Sequence, residues 1–188
     1  MDKIKNQSEN LEIVTMEKSM LKEVAQIASM TLGSSFVDES ILNNDINLCA
    51  RSGTKIFGYC TTKFINLDYL KKILKNKTLE LPKEYEKVAY IDSLAVNTNF
   101  AGKGVGTLLF KNTILKLKEN NIKFVLMAGW KNGTEVNIKG LALKEGFKEE
   151  FEIENFWKED SLEYNFNCTA CGKPPCLCSA VIYTKVLV

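Results

Sequence analysis

The chain of 188 residues contains no histidine. That excludes a Ser-His-Asp triad, a Cys-His pair and any histidine-ligated metal. A general base must then be a carboxylate, an activated water or a less usual group. Arginine is almost missing as well, since Arg51 is the only one among 25 basic residues. Recognition built on bidentate arginine forks, of phosphate or of guanine, is excluded as a main theme. Neither sign of charge is in excess: 23 acidic residues leave a formal net charge of +2. No electrostatic case exists for nucleic acid or for a membrane surface. No run is apolar and long enough to span a bilayer, and the opening MDKIKNQSEN lacks the apolar core of a signal peptide. The expectation is a cytoplasmic protein, with residues 1–9 frayed. In that compartment disulfides are disfavoured, which bears on the six cysteines.

Hydrophobic residues make up 45% and charged residues 26%, ordinary for a chain that buries a core. The length fits a single domain over 1–188. One run organises the rest. VAYIDSLAV (Val88–Val96) reads as a strand, AGKGVG (Ala101–Gly106) as a glycine-rich turn, and Val105–Asn120 as a helix with Leu and Ile on more than one side. KFVLMA (Lys123–Ala128) then reads as a strand covered on both faces. Strand, helix and strand fit a right-handed βαβ unit with parallel strands.

Around this unit the spacing predicts a strand at Leu11–Thr15 and a helix over Glu17–Leu32, ended by Gly33, Ser34 and Ser35. A short helix over Val37–Asn44 and a hairpin of Ile46–Arg51 with Thr54–Ile65 come next. Cys49 and Cys60 lie inside those strands and read as small buried apolar residues. Leu67–Lys77 is a lysine-rich amphipathic helix, either a lid or the cover of one sheet face, followed by a loop with Pro82. Gly129–Gly133 reads as a turn, and Thr134–Glu145 as a helix with Thr134 as N-cap and Gly146 as its end. From Phe147 a strand alternates Phe151 and Ile153 with Glu150, Glu152 and Glu154. That acidic side is either a lure for a cationic substrate or a solvated face. Ala180–Val188 closes the chain as a strand.

A glycine turn between a strand and a helix N-terminus suits a phosphate, because the first helical N–H groups lack partners and the helix dipole favours an anion. The spacing G-x-G-x-G is not the G-x-G-x-x-G dinucleotide fingerprint, and no G-x-x-x-x-G-K-[ST] string occurs. The wider pattern, IDSLAV then AGKGVG then a helix, a strand, and a helix ending in EGF, resembles the GNAT superfamily of acyl-CoA-dependent N-acyltransferases. The resemblance covers roughly Leu11–Phe156 plus the final strand and is most specific in LAVNTNFAGKGVGTLLF.

The resemblance implies a mixed α/β fold with a central mixed sheet flanked by helices, and acetyl-CoA as co-substrate. It implies that the backbone of Leu94, Ala95 and Val96 pairs with the pantetheine arm. The N–H groups of Gly102, Lys103, Gly104, Val105, Gly106 and Thr107 would hold the pyrophosphate. Asn137, and less well Asn132, are candidates for the asparagine that contacts the cofactor. Asp92 is the candidate base or water-positioner, needed because an amine is mostly an ammonium at neutral pH; alternation places it on the same side of the strand as Leu94. The other reading of Asp92 is a structural carboxylate. Two positions depart from the family pattern. Ala101 stands where a side-chain donor is usual, and Ala142 stands where a tyrosine often protonates the leaving thiolate. A thiolate leaves fairly well unaided; Tyr164 or another tyrosine is the alternative.

CTACGKPPCLC places Cys168, Cys171, Cys176 and Cys178 within eleven residues. Four thiolates at that spacing suit one tetrahedral metal, zinc before an iron–sulfur cluster, closed to substrate and therefore structural. Unligated thiols or disulfides are the alternatives. By the resemblance this knuckle, at about 165–179, interrupts the hairpin of the last two strands, on the acceptor side. The function expected is acetyl transfer to a primary amine by direct attack in a ternary complex. The rival is a non-catalytic acyl-CoA-binding or partner-binding protein that uses the knuckle. The partner expected is a small-molecule or peptide amine, with neither nucleic acid nor membrane, and a homodimer stays open.

Overall fold

The computed structural model describes residues 11–33, 37–75, 77–81, 85 and 87–187. The expected frayed start, the serines after the first helix and Pro82 lie outside them. Strands β1 (Glu12–Thr15), β2 (Ile46–Ser52), β3 (Lys55–Ile65) and β4 (Val88–Val96) form an antiparallel run. β4 pairs in parallel with β5 (Phe124–Asn132), joined through helix α3 (Val105–Glu119) as the βαβ pattern required. β5 carries a two-residue partner, β6 (Glu135–Val136), and then β8 (Ser179–Val186) and β7 (Lys148–Ile153), both antiparallel. The sheet order is β1-β2-β3-β4-β5-β8-β7, with β6 beside β5.

Alternation along the strands divides the core between two faces. On one face, Leu109, Phe110 and Leu117 of α3 and Ala142 of α4 (Lys139–Lys144) pack against Ile91, Val125, Val181 and Tyr183. On the other, α1 (Leu21–Thr31) buries Val24, Ile27 and Ala28 over Cys49, Tyr59 and Ala95. Beside it α2 (Leu67–Leu74) sets Leu70 and Leu74 on Val88, Tyr90 and Leu126. α2 is thus the cover of a sheet face. The helix α3 is less enclosed than its apolar content suggested, since Leu115 is exposed. Cys49 and Cys60 are buried apolar residues on opposite faces of the sheet. Among the described residues no helix is long and apolar enough to cross a membrane.

Three expectations fail for local reasons. Gly129–Asn132 is strand, not turn, and β5 continues to Asn132. Gly129 is there for close approach: a Cβ would lie 2.7 Å from Ile138 Cγ2 and 2.9 Å from Tyr183 Cε2. The helix over Thr134–Glu145 shrinks to α4, because Gly133 and Thr134 turn the chain into the β5–β6 hairpin, with Asn132 opposite Glu135 and Lys131 opposite Val136. Thr134 sits in that turn and caps nothing. A helix not foreseen, α5 (Lys158–Glu163), follows β7.

The third concerns β4. Its register against β3 slips at Asp92: Thr61 faces Ser93 while Thr62 faces Ile91. Asp92 is the extra residue of a β-bulge, which shifts the phase of the strand. Ile91, Leu94 and Val96 all pack into the α3 face. Asp92 reaches Lys63 instead, and Ser93 reaches Tyr59 on the α1 face. Asp92 and Leu94 are therefore on opposite sides of the sheet, against the simple alternation.

Candidate functional site

The parallel pairing of β4 and β5 is brief. Ala89, Tyr90 and Ile91 face Val125, Leu126 and Met127, and there the pairing ends. β5 goes on pairing with β8 as far as Lys131. From Asp92 to Val96 the β5-facing edge of β4 has no strand partner among the described residues, and there the two strands part. Leu94, Ala95 and Val96 lie along this edge. An extended ligand with amide groups fits such an edge as an added strand would.

Beyond Val96 the chain makes a 3-10 turn, Thr98–Phe100, and enters α3. Gly104 caps that helix with φ 83°, a left-handed conformation that a side chain disfavours. The N–H groups of Gly102, Gly104, Val105, Gly106 and Thr107 donate to no described residue. The first turn of α3 holds no acidic side chain. Around Gly102 and Gly104 there is open space where a Cβ would stand. The result is a row of free donors at the positive end of a fifteen-residue helix, a cradle for a phosphate group. Lys103 is exposed, donates from Nζ to the Asn99 carbonyl at 3.1 Å and lies over the Phe100 ring. Asn137 is exposed just before α4, whose Leu141 comes close to Gly106. Asn132 is exposed at the end of β5.

Asp92 stands where the two strands part, on the face of α1 and α2. Its carboxylate is 3.0 Å from Lys63 Nζ, and both side chains are about a third exposed. Tyr59, Tyr183 and Tyr164 are poor replacements for the missing acid. Ala142 is fully buried in α4. Burial pushes Tyr59 up to about 12 despite its hydrogen bond to Ser93, and pushes Tyr183 up to about 12 beside Glu149. Tyr164 is exposed and raised by the charge of Glu163. Phenols so raised stay protonated and are weak acids toward a thiolate.

The four cysteines converge. Their Sγ atoms lie within 4.8 Å of one another, with Cys171–Cys178 at 3.4 Å, Cys168–Cys178 at 3.8 Å and Cys171–Cys176 at 3.9 Å. None is in a disulfide. Zinc–sulfur bonds of about 2.3 Å in a tetrahedron imply sulfur separations of about 3.8 Å, so the donor set fits zinc. Backbone N–H groups of Ala170 and Leu177 point at Cys168 and Cys171 sulfurs, each at 3.4 Å. A small knuckle closes the group, with Cys168 and Gly172 exchanging backbone bonds of 2.8 and 2.9 Å. Trp130, Trp157 and Phe166 pack around it. Cys168 also bridges to Gly33 at the end of α1.

The acidic side of β7 is a set of ion pairs. Glu150 takes Lys148 and Thr184, and Glu152 takes Lys131.

Comparison with known proteins agrees with this geometry. A profile described as the acetyltransferase (GNAT) family matches residues 12–139. The chain belongs to the GNAT acetyltransferase family. No curated protein matches it. Among solved structures it is similar to a GNAT family acetyltransferase from Elizabethkingia anophelis with acetyl-CoA bound. Identity is 19%, coverage 95% of this chain and 99% of that one, and the TM-score 0.65. It is also similar to Arabidopsis thaliana Naa50 in complex with the bisubstrate analogue CoA-Ac-MVNAL, at 14% identity, 94% and 99% coverage and TM-score 0.62. The ribosomal-protein-S18-alanine N-acetyltransferase from Escherichia coli matches at 16% identity, 94% coverage of both chains and TM-score 0.62. These likenesses extend the shared fold over nearly the whole GNAT chain. The cysteine centre lies beyond the residues that the family profile matches.

Proposed function

We propose that the chain transfers an acetyl group from acetyl-CoA to a primary amine, by direct attack within a ternary complex. The observation that carries this reading is the parting of β4 from β5 beside the row of unpartnered amides at the head of α3. In this reading those amides, from Gly102 to Thr107, with Lys103, hold the pyrophosphate. The Leu94–Val96 edge pairs with the pantetheine arm, and Asn137 contacts the cofactor from the start of α4. The thioester then lies in the opening, near Asp92.

The acceptor approaches from the α1–α2 face. The bulge turns Asp92 toward that face and leaves Leu94 on the other, so base and cofactor stand on opposite sides of the gap. The ammonium gives up a proton to the Asp92 carboxylate, directly or through a water. The nitrogen lone pair then forms the N–C bond at the thioester carbonyl. Negative charge on the carbonyl oxygen is met by an N–H of the β4 edge. The C–S bond breaks, CoA leaves as thiolate with the bonding electrons, and the second proton of the attacking nitrogen passes to that thiolate or to water, leaving a neutral amide. A thiol of ordinary pKa, about 8.5, is a fair leaving group, so Ala142 costs the reaction little.

Zinc in the cysteine centre completes the proposal. Cys168, Cys171, Cys176 and Cys178 would hold it as four thiolates, leaving no position for substrate, and its role is structural.

Calorimetry with CoA and with acetyl-CoA, and thiol release with a panel of amines, test the proposal. Binding with turnover is expected. Binding without turnover of any amine favours a non-catalytic acyl-CoA-binding protein; no binding of either ligand rejects both.

A further inference from the structure

The cysteine knuckle has one open corner. Cys168, Cys176 and Cys178 are buried, and Cys171 is exposed. Cys171 and Cys178 together line an open cleft of about 310 Å³ beside the end of β5, and the other two cysteines do not. Their Sγ atoms are 3.4 Å apart, closer than Cys168–Cys178 at 3.8 Å or Cys171–Cys176 at 3.9 Å. An accessible thiolate with a second cysteine against it is the arrangement that hydroperoxides oxidise most readily. The one charged side chain lining the cleft, Lys131, is paired with Glu152. The cleft therefore suits a small neutral electrophile better than a charged one.

Two helices depend on the shape of the knuckle. Cys168 bridges to Gly33 at the end of α1. That seat has no slack: at φ 125° a Cβ on Gly33 would lie 1.9 Å from the Asn167 carbonyl oxygen. The Cys176 N–H donates to Ser161 Oγ at 2.8 Å and so ties down α5. A rearrangement of the sulfurs is thereby passed to α1 and α5, on the proposed acceptor side. Trp130 and Trp157, the two tryptophans of the chain, both pack against the cluster and report on it.

We propose that Cys171 is a site of oxidation by a hydroperoxide, that Cys178 resolves it to a disulfide, and that this releases the metal and loosens the acceptor side. The inference rests on the zinc and transferase readings and adds a means of regulation to them. The Cys171 sulfur attacks the terminal oxygen of the hydroperoxide. The O–O bond breaks, and the other oxygen leaves with a proton from water, as water or an alcohol. Cys171 is then a sulfenic acid. The Cys178 sulfur attacks the Cys171 sulfur, the S–S bond forms, and the S–O bond breaks. Hydroxide leaves and takes a proton. The two thiolates have lost two electrons, and the peroxide has gained them. Cys168 and Cys176 remain, two ligands where structural zinc needs four, and the ion departs.

The test treats the zinc-loaded protein with stoichiometric hydrogen peroxide. Metal analysis of the filtrate follows zinc, peptide mapping by mass spectrometry follows the thiols, and tryptophan fluorescence follows the knuckle. Zinc release should keep step with a Cys171–Cys178 disulfide and a fluorescence change. The amine KM should rise severalfold with CoA affinity unchanged, and dithiothreitol with added zinc should reverse all of these. Cys171→Asp keeps a fourth ligand that peroxide cannot oxidise, and should release zinc about tenfold more slowly or less. The disulfide map of the wild type decides the matter even where that variant does not fold. A first disulfide at another pair, or a complete Cys171–Cys178 disulfide that leaves zinc bound or the amine KM unmoved, overturns the switch. A Cys171–Cys178 disulfide that raises the amine KM in protein isolated without zinc keeps the switch and overturns the zinc reading. Reversible zinc release through that disulfide in a protein that acetylates no amine keeps the oxidation site and overturns the transferase reading.

Discussion

Asp92 is held in place by a backbone feature and by a charge. The bulge sets its direction, and Lys63 at 3.0 Å keeps the carboxylate beside the gap. If it takes the proton of the acceptor, Asp92→Asn should lower kcat/KM by about 10²-fold or more, the usual scale for loss of a general base, while CoA affinity holds. Steady-state thiol release checks this; an unchanged rate would leave Asp92 a structural carboxylate. Lys63→Met separates the charge from the base. The pair is partly exposed, so its loss should cost at most about 1 kcal/mol of stability, readable by urea unfolding. Asp92 was visible in the sequence because an acid inside an apolar strand is unusual. Its side of the sheet was not, since a bulge depends on the register of a neighbouring strand and leaves no mark on the two-residue period.

At the scale of elements, β4, α3 and β5 were legible because their apolar runs are long and bounded by glycine turns. The segment after β5 was misread because two uses of glycine look alike in a sequence. Gly129 admits the side chains of Ile138 and Tyr183, whereas Gly133, at φ 60°, makes the actual turn. Gly129→Ala should therefore destabilise by about 1–3 kcal/mol through overpacking, as measured by thermal or urea unfolding. The coupling of α5 to the knuckle makes a second prediction. Ser161 is fully buried, accepts from the Cys176 N–H and donates to the Lys158 carbonyl. Ser161→Ala leaves a buried N–H without its acceptor, at a cost of about 1–3 kcal/mol. Because α5 is also held to the end of α2 through Lys75 and Glu159, on the proposed acceptor face, this variant should also raise the acceptor KM. A loss of stability with an unchanged KM would show that α5 does not shape the acceptor side.

The whole molecule has an alkaline limit set by its core. Cys49, Cys60 and Tyr59 are fully buried, and burial pushes them up to about 12, 11 and 12. In the unfolded chain the thiols ionise near pH 9 and the phenol near pH 10. The unfolded state thus sheds protons first as pH rises, and stability falls. The full stability is present below about pH 9 and is lost progressively as pH climbs toward 12, each titrating group adding a slope of about 1.4 kcal/mol per pH unit. Unfolding midpoints taken from pH 7 to 11 should bend downward near 9. A Cys49→Ala, Cys60→Ala double variant, less stable at neutral pH, should bend nearer 10; an onset that does not move would show that the thiols are not responsible.

The two halves of the molecule predict different responses to metal removal. The cofactor half is built from β4, α3 and β5, whose main core cluster does not include the four cysteines of the knuckle. The knuckle touches the end of α1 through Gly33, α5 through Ser161, and Trp130 and Trp157 through packing. Apart from Trp130 of β5, those contacts lie on the proposed acceptor side. Four thiols this close, three of them buried, repel as thiolates once a cation is withdrawn, so the knuckle should open when a chelator strips zinc. The ligand stabilises only the folded state, and its loss should lower the unfolding midpoint in proportion to the binding lost. The expected outcome is a divided one. Thermal unfolding shifts down and the amine KM rises severalfold, while CoA affinity by calorimetry stays within about twofold, because the α3 amides and the β4 edge do not depend on the knuckle. Restoring zinc should recover both the midpoint and the KM. A parallel loss of CoA affinity would mean that the knuckle supports the sheet as a whole, and no change in either quantity would mean that the four cysteines hold no metal that matters to the fold.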